Sequence, residues 1–148
     1  QIPFSGNIIQ YNFIEAIKQL SEYIAKETKA DKNRIYILGT SFGAHNTWSS
    51  AYNYSDYYAC AMPVMGRMYS EDKIDYNKLK DIPLLIAHAS NDKVVDVSRD
   101  DEMFEILKGI SANIRYVRWD KYGHRMARKF YKRENWDEWM FSQSLDKR

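Results

Sequence analysis

The chain has 148 residues, 45% of them hydrophobic and 28% charged, with a formal net charge of +2. That length suits one domain with a real core, spanning 1–148, and that charge is too small to argue for nucleic acid or a membrane surface as partner. A single cysteine, Cys60, excludes an intramolecular disulfide, and no stretch approaches the roughly 20 apolar residues that cross a bilayer.

The chain opens on Gln1-Ile-Pro-Phe4, with neither a methionine nor a signal-peptide pattern, which points to a processed form or a piece of a larger protein. With no targeting segment present, its compartment stays open between secreted and cytoplasmic. Phe13, Ile17, Leu20 and Ile24 recur at helical spacing, so residues 9–27 read as an amphipathic helix with that stripe toward the core. Arg34-Ile-Tyr-Ile-Leu38 is an apolar run suited to a buried strand, and Gly39-Thr-Ser-Phe-Gly43 then turns into a helix over 43–53. Tyr58–Met65 reads as a second strand, residues 75–81 as a short helix, and Ile82-Pro-Leu-Leu-Ile-Ala87 as a third strand.

Ser98, Asp100, Asp101 and Glu102 suit a helix start, where acidic groups meet the positive end of the dipole. Ile114-Arg-Tyr-Val-Arg-Trp119 alternates as a fourth strand, and Trp136, Trp139 and Met140 fall on a closing helix. Helices alternating with buried strands imply an α/β fold, a mostly parallel sheet covered on both faces.

Gly39-Thr-Ser-Phe-Gly43 matches G-x-S-x-G between a strand and a helix. A sharp turn there exposes a serine oxygen, side chains at both glycine positions are expected to collide with backbone, and the next N–H groups open a helix that favours negative charge. A serine hydroxyl needs a base, and the chain holds three histidines. His45 lies inside the helix after Ser41 and reads as a structural or surface residue, and His88, ending a strand, reads as a brace for the loop Ser90-Asn-Asp92. His124 follows the last strand, on the sheet edge where Ser41 also falls, and is the expected base. Asp92, after the third strand, is the expected carboxylate partner, with Asp96 its nearest competitor.

These segments together resemble the α/β-hydrolase superfamily, particularly bacterial esterases related to feruloyl and acetylxylan esterases and prolyl-oligopeptidase-like hydrolases. Arg34–Ala44 with Trp48 resembles the nucleophile segment, and Tyr58–Gly66 the strand after it. Pro83–Val95 resembles an acid segment written H-G-x-x-D-x-x-V, with Ala89 replacing its glycine, and Tyr122-Gly-His124 with Trp136–Trp139 resembles the histidine loop and last helix. The resemblance implies a serine esterase without cofactor, Ser41 its nucleophile, His124 its base and Asp92 the orienting acid, in the superfamily's chain order. It also implies strands before the nucleophile strand, which are missing here, and a second oxyanion donor beside the Phe42 N–H, which no His-Gly-Gly-like segment supplies. The sheet is then expected to lack its N-terminal strands and to need an oligomer or a missing N-terminal half.

Met65, Val94, Trp48 and Tyr69 are candidates to line a substrate pocket, against a plain core reading for each. Lys121, Arg125, Arg128, Lys129, Lys132 and Arg133 make the surroundings of His124 basic, suiting an anionic substrate or simply a solvated helix face. Cys60 reads as a small buried residue, and scattered histidines suggest no metal site. The expected substrate is a small-molecule or polysaccharide-linked ester; the competing readings are a prolyl-oligopeptidase-like peptidase and an inactive, partner-dependent binding subunit.

Overall fold

A computed structural model describes residues 8–68, 74–110 and 113–148. Among these residues nine regular elements run in chain order: α1 (Ile8–Thr28), β1 (Tyr36–Thr40), α2 (Phe42–Asn53), β2 (Cys60–Val64), β3 (Leu84–Ala89), α3 (Ser98–Gly109), β4 (Ile114–Trp119), α4 (Ala127–Arg133) and α5 (Trp136–Phe141). Short 3₁₀ turns sit at Lys32–Arg34, Tyr76–Leu79, Gly123–Arg125 and Leu145–Lys147. The expected helix over 75–81 is thus a single 3₁₀ turn, opened by Asp75, whose carboxylate accepts from the Asn77 N–H at 3.2 Å.

The four strands pair in parallel in the order β1-β2-β3-β4. Every side chain of β2 and β3 is buried, which accounts for their nearly continuous apolar sequences. Because side chains alternate across a strand, Leu84 and Ile86 join Trp48, Met103 and Leu107 under α2 and α3. Leu85, Ala87 and Ala89 join Met62, Val64, Met126 and Phe130 beneath α4 and α5. The sheet therefore has a core on each face.

Two expectations about α1 and β1 change. α1 buries Ile14 and Ala25, while Phe13, Leu20 and Ile24 of the expected core stripe stand exposed, with Tyr23 beside them. The reason is its packing partner: Tyr54 donates to Glu15, and Ser21 Oγ lies 2.7 Å from Tyr57 OH, so the face turned inward is the one carrying Ile14, Glu15, Ser21 and Ala25. β1, expected over 34–38, runs on to Thr40, which pairs with Val64. A single residue, Ser41, makes the turn, so pairing persists to its doorstep.

Candidate active site

The loops after β1, β3 and β4 emerge at one edge, as they must in a parallel sheet with helical crossovers. Ser41 leaves β1 with φ 56° and ψ −117°, a backbone state that a side-chain-bearing residue adopts only when its neighbours enforce it. Its N–H donates to Val64 O at 2.9 Å, while its own carbonyl accepts the first bonds of α2 from Ala44 and His45. A Cβ at Gly39 would sit 2.3 Å from Gly43 O and 2.7 Å from Thr47 Oγ1. The expectation of a collision at both glycines is corrected at Gly43, where a Cβ would meet nothing within 4 Å. The second crowded glycine is Gly66, whose Cβ would lie 2.3 Å from Ala44 Cβ as β2 ends against α2.

Ser41 Oγ lies 2.8 Å from His124 Nε2, and His124 Nδ1 lies 2.7 Å from Asp92 Oδ2. Asp92 Oδ1 accepts from the N–H groups of Val94 and Val95 at 2.8 and 3.1 Å, which frees Oδ2 for the histidine. The Asp92 side chain is wholly buried and that of His124 is 22% exposed. Burial alone would raise the Asp92 carboxyl, but hydrogen bonds from His124, Val94 and Val95 outweigh it and hold it below the usual range. His124 Nδ1 must then carry the proton, leaving Nε2 to accept from Ser41.

The histidine loop turns through Tyr122 and Gly123, both left-handed, with φ 78° and 47°. Asn91 Oδ1 accepts from the Gly123 N–H at 2.9 Å, tying the acid loop to the histidine loop. That tie escaped sequence reasoning; its one signal was a polar residue next to the carboxylate. The Phe42 N–H belongs to the first turn of α2, where no helical acceptor exists, and the Phe42 side chain is exposed.

His45 is buried and pushed down by that burial, its Nδ1 lying 2.6 Å from Arg67 O. Asp96, the competing acid, is exposed and accepts from the Ser98 N–H. Cys60 is buried and its thiol is pushed up to about 12 by that burial.

Of the substrate candidates, Val94 is 70% exposed, Met65 is buried with φ 54°, and Tyr69 lies outside the described residues. Trp48 is corrected: it is fully buried in the core beneath α2, and its indole N–H donates to Asp100 Oδ1 at 3.3 Å. Asp100 stands in the first turn of α3, as expected of a helix start, and is a buried acceptor there. Lys121, Arg125, Arg128, Lys129, Lys132 and Arg133 are all exposed. A polar groove lined by Arg115, Val117, Arg133, Glu134 and Trp136 lies elsewhere, along β4 and α5.

The sequence profile of the phospholipase/carboxylesterase family matches residues 4–133. A thermostable esterase structure superimposes with a TM-score of 0.82 at 28% identity, covering 90% of this chain and 37% of that one. The Bacillus cereus carboxylesterase gives 0.72 at 20% identity over 89% of this chain and 62% of its own. The Pyrococcus horikoshii acylaminoacyl peptidase gives 0.64 at 17% over 78% and 24%. The chain thus spans about a third of the thermostable esterase's length. A search of curated protein sequences found no significant match.

Proposed function

The chain belongs to the phospholipase/carboxylesterase family of the α/β-hydrolase superfamily, and from that premise we propose that it hydrolyses carboxylic esters through an acyl-enzyme on Ser41. One observation carries the reading: the unbroken path from Ser41 Oγ to His124 Nε2 and from His124 Nδ1 to Asp92, at 2.8 and 2.7 Å. Ser41 attacks the acyl carbonyl as His124 takes its proton, and Asp92 holds the ring and stabilises the imidazolium. The Phe42 N–H faces the developing oxyanion from the start of α2. His124 returns the proton to the departing alcohol, then draws one from the water that releases the acid. Val94, exposed in the acid loop, is the substrate-contacting residue we retain, and the substrate class is a small or polysaccharide-linked ester.

A second reading, in which turnover depends on a partner segment or a second copy, is favoured by the position of β1, an edge strand among the described residues. A fluorophosphonate probe separates the readings when intact mass and p-nitrophenyl acetate turnover are read beside Ser41→Ala. Stoichiometric labelling lost in the variant supports an activated Ser41 in this chain. A folded wild-type chain that stays unlabelled rejects self-sufficient chemistry and leaves the partner-dependent reading.

A further inference from the structure

His88, on β3, lies one step behind Asp92 and is wholly buried. Its Nδ1 lies 2.7 Å from Asp100 Oδ2, and its Nε2 lies 3.2 Å from Val95 O and 3.4 Å from Asp92 Oδ2. Val95 O is a carbonyl, and Asp92 Oδ2 already accepts from His124, so Nε2 faces only acceptors and must carry a proton. Asp100 accepts on both oxygens, from the Trp48 indole at 3.3 Å and from Nδ1. An ionised Asp100 therefore calls for a proton on Nδ1 as well, and the ring becomes an imidazolium.

We propose that His88 and Asp100 form a buried positioning pair for the Ser41–His124–Asp92 array, with His88 an imidazolium that seats the Asp92 carboxylate and moderates the negative charge His124 feels. The proposal rests on the hydrolase reading above. Geometry gives the pair this part because the Asp92 carboxylate is held by one short loop and by two histidines. Its Oδ1 is fixed by the Val94 and Val95 N–H groups, and its Oδ2 lies between His124 at 2.7 Å and His88 at 3.4 Å. His88 also accounts for the loop's shape, since its Nε2–H donates to Val95 O while the Val95 N–H donates to Asp92. Trp48 and Asp100 carry the restraint into the core, to α2 and α3.

The groups His88 senses are Asp92 and Asp96 on its own loop, Asp100 and Asp101 on α3, and His45 on α2, with His124 beyond Asp92. Burial lowers the imidazole's proton affinity, but the facing Asp100 and Asp92 carboxylates more than offset it and raise it above its ordinary value. Burial raises Asp100 too, and its two donors only partly offset that. The imidazolium sets one buried cation between the two carboxylates that lie against its ring, Asp92 and Asp100.

The first test needs no variant. In the histidine-¹⁵N-labelled 148-residue chain, His88 is expected to show two protonated ring nitrogens from pH 5 to 8, with slowly exchanging N–H protons. A neutral ring with one unprotonated nitrogen at pH 7 overturns the proposal. The second test is the pH profile of Ser41 labelling in His88→Gln. Removing the cation leaves Asp92 more negative toward His124, so the His124 imidazolium is favoured and the acid limb moves up by about one pH unit. Labelling that merely slows with an unmoved acid limb overturns the positioning role. A wild-type chain that shows the imidazolium but never labels Ser41 overturns self-sufficient chemistry in this chain, and with it the positioning role there, while the ion pair stands.

Discussion

Gly39 and Gly43 bracket Ser41 in the same motif, yet they answer to different constraints. At Gly39 any Cβ would run into the backbone of Gly43 at 2.3 Å, and a backbone cannot swing aside as a side-chain tip can. Gly39→Ala is expected to destabilise the fold by about 3 kcal/mol and to abolish labelling of Ser41, read by urea unfolding and probe mass. Gly43→Ala meets open space inside α2, so stability should rise by up to about 1 kcal/mol with Ser41 labelling retained. Equal loss in both variants would show that the turn, not the contact, demands glycine.

Ser41, His124 and Asp92 were legible from sequence because each follows its own strand, and strand ends are readable from apolar runs. Trp48 and Asp100 were not. Helical spacing says that two residues share a face, but not that an indole on α2 and a carboxylate on α3 meet beneath the sheet at 3.3 Å.

Among elements, the site depends on how the loops after β3 and β4 hold one another. Asn91 supplies a side-chain bond across that gap, to the Gly123 N–H at 2.9 Å. Asn91→Ala should lower kcat/KM for p-nitrophenyl acetate about fivefold, the worth of one hydrogen bond near 1 kcal/mol, with little change in far-UV dichroism. An unchanged rate would mean that the Tyr122–Gly123 turn holds His124 unaided. α3 is fastened to β4 by Asp101, which takes Arg118 Nε at 2.8 Å, Arg118 Nη2 at 3.1 Å and the Tyr116 hydroxyl at 2.7 Å. The Arg118 bonds, with help from Tyr116, hold the Asp101 carboxyl below its usual range.

A lowered carboxylate contributes stability above its unfolded value and loses it as pH falls through the folded one. Asp101→Asn should therefore lower Tm by about 2 °C at pH 7 and leave it nearly unchanged at pH 3, by calorimetry. Equal losses at both pH values would assign the effect to packing.

Strand existence and order were readable from the buried apolar runs, while ends drifted by about two residues, because Gly39 and Thr40 look like a turn and are ladder residues. The stripe on α1 was readable as a stripe but not as an outward one, since periodicity does not say which face meets α2.

At the scale of the molecule the two outer strands are unlike. β4 carries exposed Arg115 and Arg118, charges that discourage another strand from pairing. β1 has no charged residue between Tyr36 and Thr40, and its Leu38 is 43% exposed. The 148-residue chain is therefore expected to self-associate as its concentration rises, and Leu38→Lys should shift it toward monomer in sedimentation velocity. Monomer at all concentrations in both forms would mean the edge is sterically closed. The alternating α/β order was legible from sequence, because the buried apolar runs and the helical stretches between them can be read directly.

The strand order β1-β2-β3-β4 also fixes a sequence of events in time. A ribosome releases the strands in the order in which they lie side by side, so each can dock on the one before it as it emerges. Ser41 is in place early, Asp92 follows, and His124 comes only after β4. Until residue 124 has left the exit tunnel, the nascent sheet carries a strained Ser41 with no histidine at its hydroxyl. On the reading proposed above, Ser41 then waits for its partner base until β4 and the loop after it have emerged.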